Sequence, residues 1–162
     1  MKEKIEINVR YAEKADLGEV NRLRMQVSSL HSAARPDIFR ADICDEMESI
    51  VYRKYESEAA DVIVAQINNE ICGFAVIEYV SVPVTPYTVS YSYCHVDEFG
   101  VDEAHRRKGI AACMIEFIKE EAGKRGLKRI DLDVWDFNKG AIDFYENAGF
   151  SAYKRSMEIS ID

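Results

Sequence analysis

The sequence predicts a single α/β domain over residues 1–162, a mixed β-sheet with helices on both of its faces. Three observations carry that expectation. Apolar residues alternate at period two in some runs and recur at i, i+3 and i+4 in others. The two kinds of run follow one another as β-α-α-β-β, then β-α-β-α-β. No repeat, low-complexity tract or interdomain linker divides them, and 162 residues with 48% hydrophobic content suit one core.

Each element has a local reason. Ile5–Tyr11 places Ile5, Ile7, Val9 and Tyr11 on one side of a half-buried strand. Asp16-x-x-Glu19 reads as a capping box, and Leu17, Val20, Leu23, Val27 and Leu30 continue as one helical stripe. The segment around Pro36 breaks it. A second helix carries Ile43, Met47, Ile50, Val51 and Tyr55. Val62–Ile67 and Ile71–Val80 flank Asn68-Asn69 and predict a hairpin. Pro83 and Pro86 mark a loop before a long strand, Val89–Val101. Ile110, Cys113, Met114, Phe117, Ile118 and Ala122 then form a helical stripe that ends near Gly123–Gly126. Ile130–Trp135 reads as a strand and Asn138 as the cap of a short helix closed by Gly149. A last strand is expected over Ala152–Ile161.

Composition narrows the function. With 29 acidic and 21 basic residues the net charge is −8, which argues against general nucleic-acid binding and suits cationic substrates such as amines. Four cysteines (Cys44, Cys72, Cys94, Cys113) are widely spaced, with no CxxC pair and no Cys/His clustering, so no metal site is expected. Small buried thiols are the default reading, Cys72 and Cys113 included. The first ten residues hold no apolar signal region, and no run approaches membrane-spanning length. The expectation is a reduced, cytoplasmic protein with no membrane partner.

The chain is organised around His95–Ala111, HVDEFGVDEAHRRKGIA. If its pleat is regular, Tyr91, Tyr93, His95, Asp97, Phe99 and Val101 share one face. A polar turn, Asp102–His105, then delivers Arg106, Arg107 and Lys108 onto Gly109 and the first turn of the helix that starts at Ile110. The first N–H groups of a helix lack intrahelical partners, and the dipole there is positive. Gly109 and Ala111 leave room for a close ligand, so the stretch reads as a cradle for a phosphorylated group.

Arg106-x-x-Gly109-x-Ala111 resembles the acyl-CoA-binding signature of the GNAT acetyltransferases. Asn138, Ala141 and FYENAGF (Phe144–Phe150) are similar to that family's carboxy-terminal motif, and RYAEKAD (Arg10–Asp16) looks like its opening. The resemblance runs from Ile5 to the end of the chain. It implies the GNAT acyl-CoA N-acyltransferase fold, acetyl-CoA as donor and no metal. Arg106, Arg107, Lys108, Gly109, Ile110 and Ala111 would hold the pyrophosphate, mostly through backbone amides. The backbone of Phe99, Gly100 and Val101 would pair with the pantetheine arm and supply an oxyanion donor, and Asn138 would touch the same arm. Tyr145 aligns with the tyrosine that protonates the leaving thiolate, although periodicity alone makes it a buried aromatic. Plain packing for Phe99 and Val101, and plain capping for Asn138, are the alternatives.

The base is the most open role. His95 and Asp97 occupy strand positions where relatives place their bases, with Asp97 the first choice to meet the amine. A satisfied core histidine is an equal reading of His95. Glu98 faces the other way unless a bulge shifts the parity. His31, Arg35, Asp37 and Phe39, the loop Val82–Thr88 with Tyr87, and Trp135 are candidates to shape the acceptor pocket.

The resemblance therefore implies direct transfer from acetyl-CoA to a primary amine, with a small molecule as the partner and a homodimer as an open expectation. Cys94, facing away from His95 and Asp97, argues against an acyl-cysteine route. The alternatives are acetylation of a protein or peptide, and a non-catalytic acyl-CoA sensor. A Rossmann-type nucleotide domain would need a GxGxxG after an early strand, which is missing.

Overall fold

The computed structural model describes residues 5–42 and 44–161. Its elements are β1 (Asn8–Tyr11), α1 (Leu17–Ala34), α2 (Asp45–Tyr55), β2 (Ala60–Ile67), β3 (Glu70–Val82), β4 (Tyr91–Val101), α3 (Ile110–Lys124), β5 (Ile130–Leu132) and α4 (Lys139–Asn147). The five strands lie in the order β1-β2-β3-β4-β5. All neighbours are antiparallel except β4 and β5, which run parallel. The mixed sheet expected from the sequence is present.

Each face of the sheet buries its own cluster. Ile63, Ala75, Ile77, Cys94 and Val96 pack against Ile110, Met114, Ile118 and Ala122 of α3. On the other face Val62, Val64, Phe74 and Val76 meet Leu17, Val20 and Leu23 of α1 and Val51 of α2. Each fully buried aliphatic side chain here contributes about 1.5–3 kcal/mol. The β2–β3 hairpin turns at Asn68 and Asn69, with φ of 50° and 66°, the pair of positive values that a tight two-residue turn requires.

The long strand is where the fold shapes the site. Val76 of β3 faces Glu98, but Ile77 faces Val96, so Asp97 is an extra residue in β4. The bulge overturns the regular pleat expected from the sequence. Phe99 and Val101 pack on the α3 side, whereas His95 and Glu98 do not. Beyond Val96, β4 and β5 cease to pair, and the strand edge of Asp97–Val101 opens toward α4.

Other expectations are also corrected. The capping box forms one turn early, between Glu13 and Asp16, because Asp16 is drawn back by Arg10 at 2.7 Å. Leu30 closes the α1 stripe 46% exposed. Cys113 is exposed beside Ile7, Val9 and Phe117 in a surface groove, and Ile115 takes its place in the buried stripe. Ile43, expected on the α2 face, lies outside the described residues. The strand expected at Ile5–Tyr11 is confined to Asn8–Tyr11, and that at Ile130–Trp135 stops at Leu132. No strand forms over Ala152–Ile161: the segment is exposed, and among the described residues its backbone makes no hydrogen bond to another element.

Candidate active site

The anion cradle is built by the end of β4. The Asp102 N–H donates to the Cys72 carbonyl at 2.8 Å, tying the turn to β3. The Asp102 carboxylate is buried, accepting from Ala104 N–H at 3.1 Å, from Arg22 at 2.9 Å and from Gln26 at 3.4 Å. Burial alone would raise this carboxyl, but the Ala104 amide, Arg22 and Gln26 outweigh it and hold it below the usual carboxylate range. The turn is thereby fixed to α1. Arg107 (φ 62°) and Gly109 (φ 83°) then adopt left-handed conformations. Gly109 is the N-cap of α3, where no side chain caps the helix and no acidic residue occupies the first turn. A Cβ at Gly109 would meet nothing within 4 Å. The α3 amides thus face open space beside Arg106, Arg107 and Lys108, all exposed. This bare, basic helix start fits a diphosphate.

β4 and β5 pair only as far as Val96 and Leu132, so Asp97–Val101, between there and the α3 start, carries no β5 ladder. Phe99 stacks on Phe144 at 6.2 Å and meets Tyr145 edge-on at 6.1 Å. Phe150 packs on the other side of Tyr145 at 5.6 Å. Phe99 and three residues of the Phe144–Phe150 segment thus share one aromatic junction. Burial pushes the Tyr145 phenol up to about 12. Asn138 caps α4, its Oδ1 accepting from Ala141 N–H at 3.2 Å. Gly100 has a packing reason of its own: a Cβ there would come within 2.7 Å of Phe74 and 2.9 Å of Val27, so α1 can lie on β4 only over glycine.

Each of the three titratable candidates on β4 has a partner from elsewhere. His95 Nδ1 lies 2.7 Å from Asp131 Oδ1, directly across the β4–β5 pair. The second Asp131 oxygen accepts from the Tyr153 hydroxyl at 2.9 Å. A carboxylate holding one ring nitrogen fixes the ring's orientation. Asp97 lies 3.3 Å from Lys54 at the end of α2, and Lys54 also bridges to Glu78. Glu98, brought by the bulge onto the α1 side, is held by Arg24 at 2.6 and 2.9 Å, the parallel fork of two donors on two acceptors. Cys94 is fully buried, and burial pushes its thiol up to about 11, a poor nucleophile at neutral pH.

The α1–α2 connection meets the end of the β5 segment. His31, Phe39, Trp135 and Phe137 form a chain of ring contacts of 5.1–6.1 Å, and Arg35 lies 5.6 Å over Trp135. Arg35 also holds Asp37 at 2.8 Å and Glu158 at 2.9 Å. Tyr87 stands apart, 95% exposed at the tip of the Val82–Thr88 loop. Sequence reasoning missed Asp131, Lys54, Arg24 and Phe137. The first had a signal, an acidic residue on the polar side of a strand; the other three gain meaning only from the packing. Among the described residues no group of three or more His, Cys, Asp or Glu could hold a metal, and no helix is long and apolar enough to cross a membrane.

The chain's likenesses agree with this architecture. Residues 26–150 match the model of the acetyltransferase (GNAT) family. An L-ornithine N5-acetyltransferase (NATA1) of Arabidopsis thaliana is 32% identical over 60 residues, 37% of this chain and only 26% of the plant enzyme's length. A thialysine N-epsilon-acetyltransferase of Caenorhabditis elegans is 23% identical over 124 residues, covering 76% of this chain and 74% of that enzyme. Among solved structures, a tetramutant of the BH1408 protein of Bacillus halodurans superposes with a TM-score of 0.91 at 31% identity, over 95% of this chain and 99% of that one. The bare helix start after a bulged, diverging strand and the match over residues 26–150 make one assignment: the chain belongs to the GNAT acetyltransferase family.

Proposed function

We propose that the protein transfers the acetyl group of acetyl-CoA to a primary amine on a small molecule, by direct attack with both substrates bound. The observation that supports this is that β4, which runs into the uncapped α3 start, has lost its β5 ladder over Asp97–Val101, where Phe99 meets Tyr145. Acetyl-CoA supplies the activated acyl group. Gly109, Ile110 and Ala111 would hold its diphosphate through backbone amides, with Arg106, Arg107 and Lys108 around them. The free edge at Phe99–Val101 would hold the pantetheine arm, and an amide there would face the developing oxyanion. Asn138 would touch that arm while capping α4.

Tyr145 is our choice for the acid. Its raised pKa keeps a proton available, which it would give to the sulfur as the tetrahedral intermediate collapses to the amide and the C–S bond breaks. His95, oriented by Asp131, is our choice for accepting the proton that the amine loses, with Asp97 drawing the ammonium in. The names of the ornithine and thialysine enzymes support an amino acid with a side-chain amine as the acceptor. The net charge of −8 is in keeping with a cationic substrate. We further propose a cytoplasmic location, which the four free thiols support, and a homodimer.

Calorimetric titration with acetyl-CoA, with ATP and NAD as controls, tests the donor. A thiol-release assay over ornithine, lysine analogues, polyamines and a lysine peptide tests the acceptor. Selective binding with turnover on a small amine is the expected result. Turnover on the peptide alone would make the chain a peptide acetyltransferase, and binding without any turnover would make it a sensor.

A further inference from the structure

The last turn of α2 carries a lysine that the fold directs inward. Val51 is fully buried against the sheet, and Lys54, three residues on, lies on the same side of the helix. Among the described residues Lys54 is the one half-buried lysine, and every other is exposed. Its ammonium pairs with Glu78 of β3 and lies 3.3 Å from Asp97 at the β4 bulge. Glu78 in turn stands directly across the β3–β4 ladder from His95. Residues opposed in this way project from one face of a sheet, with Cβ atoms about 4.5–5.5 Å apart. The Lys54 amine is therefore one carboxylate removed from the His95 imidazole.

An acceptor amine has to be held in just these surroundings. It needs a carboxylate to draw it in and a base within reach to take its proton. Asp97 and His95 are proposed above for those two tasks, and a primary amine of the chain itself already sits on Asp97. The amide proposed to face the oxyanion lies from Phe99 onward, two residues or about 7 Å along the strand from Asp97. Lysine has a flexible four-carbon stem with which to cover that distance.

We infer that Lys54 is an internal acceptor: without a free amine, the protein transfers the acetyl group of acetyl-CoA to its own Lys54 Nζ. The inference rests on the donor and on the roles of His95 and Tyr145 proposed above. Lys54 gives a proton to His95, and its neutral nitrogen attacks the thioester carbonyl. The tetrahedral adduct collapses to the amide, the C–S bond breaks, and the thiolate leaves with the Tyr145 proton. The acetylated side chain carries no charge, so Glu78 and Asp97 lose their internal cation.

The test incubates the full chain with saturating acetyl-CoA and no amine, and maps the modified positions by peptide mass spectrometry. One acetyl group should appear at Lys54 at least about tenfold faster than at any exposed lysine, where chemical acetylation sets the background. The rate should be unchanged when the protein is diluted, because the acceptor and the site share one chain. In Lys54→Arg, which keeps the cation, thiol release without an amine should fall to background. Labelling that follows exposure, or that slows in proportion to dilution, overturns the inference. Thiol release on a free amine with Lys54 left unmodified also overturns it, and leaves the proposed function standing. No thiol release with or without an amine overturns the function and the internal acceptor together.

Discussion

The two ends of β4 are built in opposite ways. Beyond Val101 the residues proposed to meet the ligand come from one continuous stretch, and Arg106–Gly109 are exposed while Asp102 is buried and tied to α1. At the bulge, His95, Asp97 and Glu98 are neighbours in sequence but take their partners from β5, α2 and α1. One end offers unsatisfied backbone amides to a ligand. The other offers side chains whose charges are already matched inside the protein. A fixed diphosphate can be met by backbone alone, whereas positioning a proton acceptor needs a supporting partner for each group.

The sharpest break of this contrast is Gly109→Glu. The side chain would project into open space at a left-handed position, so the core stays intact, with a backbone cost of about 1–2 kcal/mol. It would set a carboxylate where the diphosphate is proposed to bind. The dissociation constant for acetyl-CoA should rise more than about 100-fold, roughly 3 kcal/mol, with unchanged far-ultraviolet dichroism. Retained affinity by calorimetry would remove the cradle from the proposal.

Tyr145→Phe lies between the two ends. It keeps the ring contacts with Phe99 and Phe150 and deletes only the hydroxyl, so acetyl-CoA affinity should hold while kcat falls about 100-fold or more. Equal loss of both would sink the assignment. With the phenol pushed up to about 12, kcat should show no loss from its ionisation below about pH 11.

At the bulge the effects should separate. His95→Gln should lower kcat by about 10- to 100-fold at neutral pH with little change in the KM for the amine. Asp97→Asn should instead raise the KM for the amine several-fold, on the order of 1 kcal/mol, with little change in kcat. Steady-state kinetics at neutral pH distinguish them. An unchanged KM in Asp97→Asn would leave that residue only its ion pair with Lys54.

This contrast also explains what could be read in advance. The local geometry on which the proposed cradle rests was legible because a glycine, a basic run and a helix start all lie within Arg106–Ala111. The mixed sheet and the order of elements along the chain, up to α4, were legible for the same local reasons, from alternation and turn residues. The facing of β4 was not. One extra residue at Asp97 reverses parity, and nothing in HVDEF marks where the pleat slips. Arg24 and Glu98 lie 74 residues apart, and only the crossing of α1 over β4 joins them. The segment Ala152–Ile161 has the pattern of a strand, but pattern cannot supply the neighbouring edge that a strand requires.

The smallest expected effect concerns the support beneath the cradle. Asp102 touches no proposed ligand, yet it joins α1 to the turn through Arg22, Gln26 and Ala104 N–H. Asp102→Asn should weaken these bonds and cost about 1–2 kcal/mol at pH 7, read by urea denaturation. The sign of its pH dependence follows from the direction of the shift. Folding lowers the Asp102 pKa, so its contribution is fully present above the ordinary aspartate value of about 4 and is lost as pH falls through the folded value. The stability gap between the native protein and Asp102→Asn should therefore be constant from pH 7 to 5 and close toward pH 3. A gap that persists at pH 3 would mean that side-chain shape, and not the carboxylate charge, holds the turn on α1. The cradle's rigidity would then owe nothing to the Arg22 ion pair.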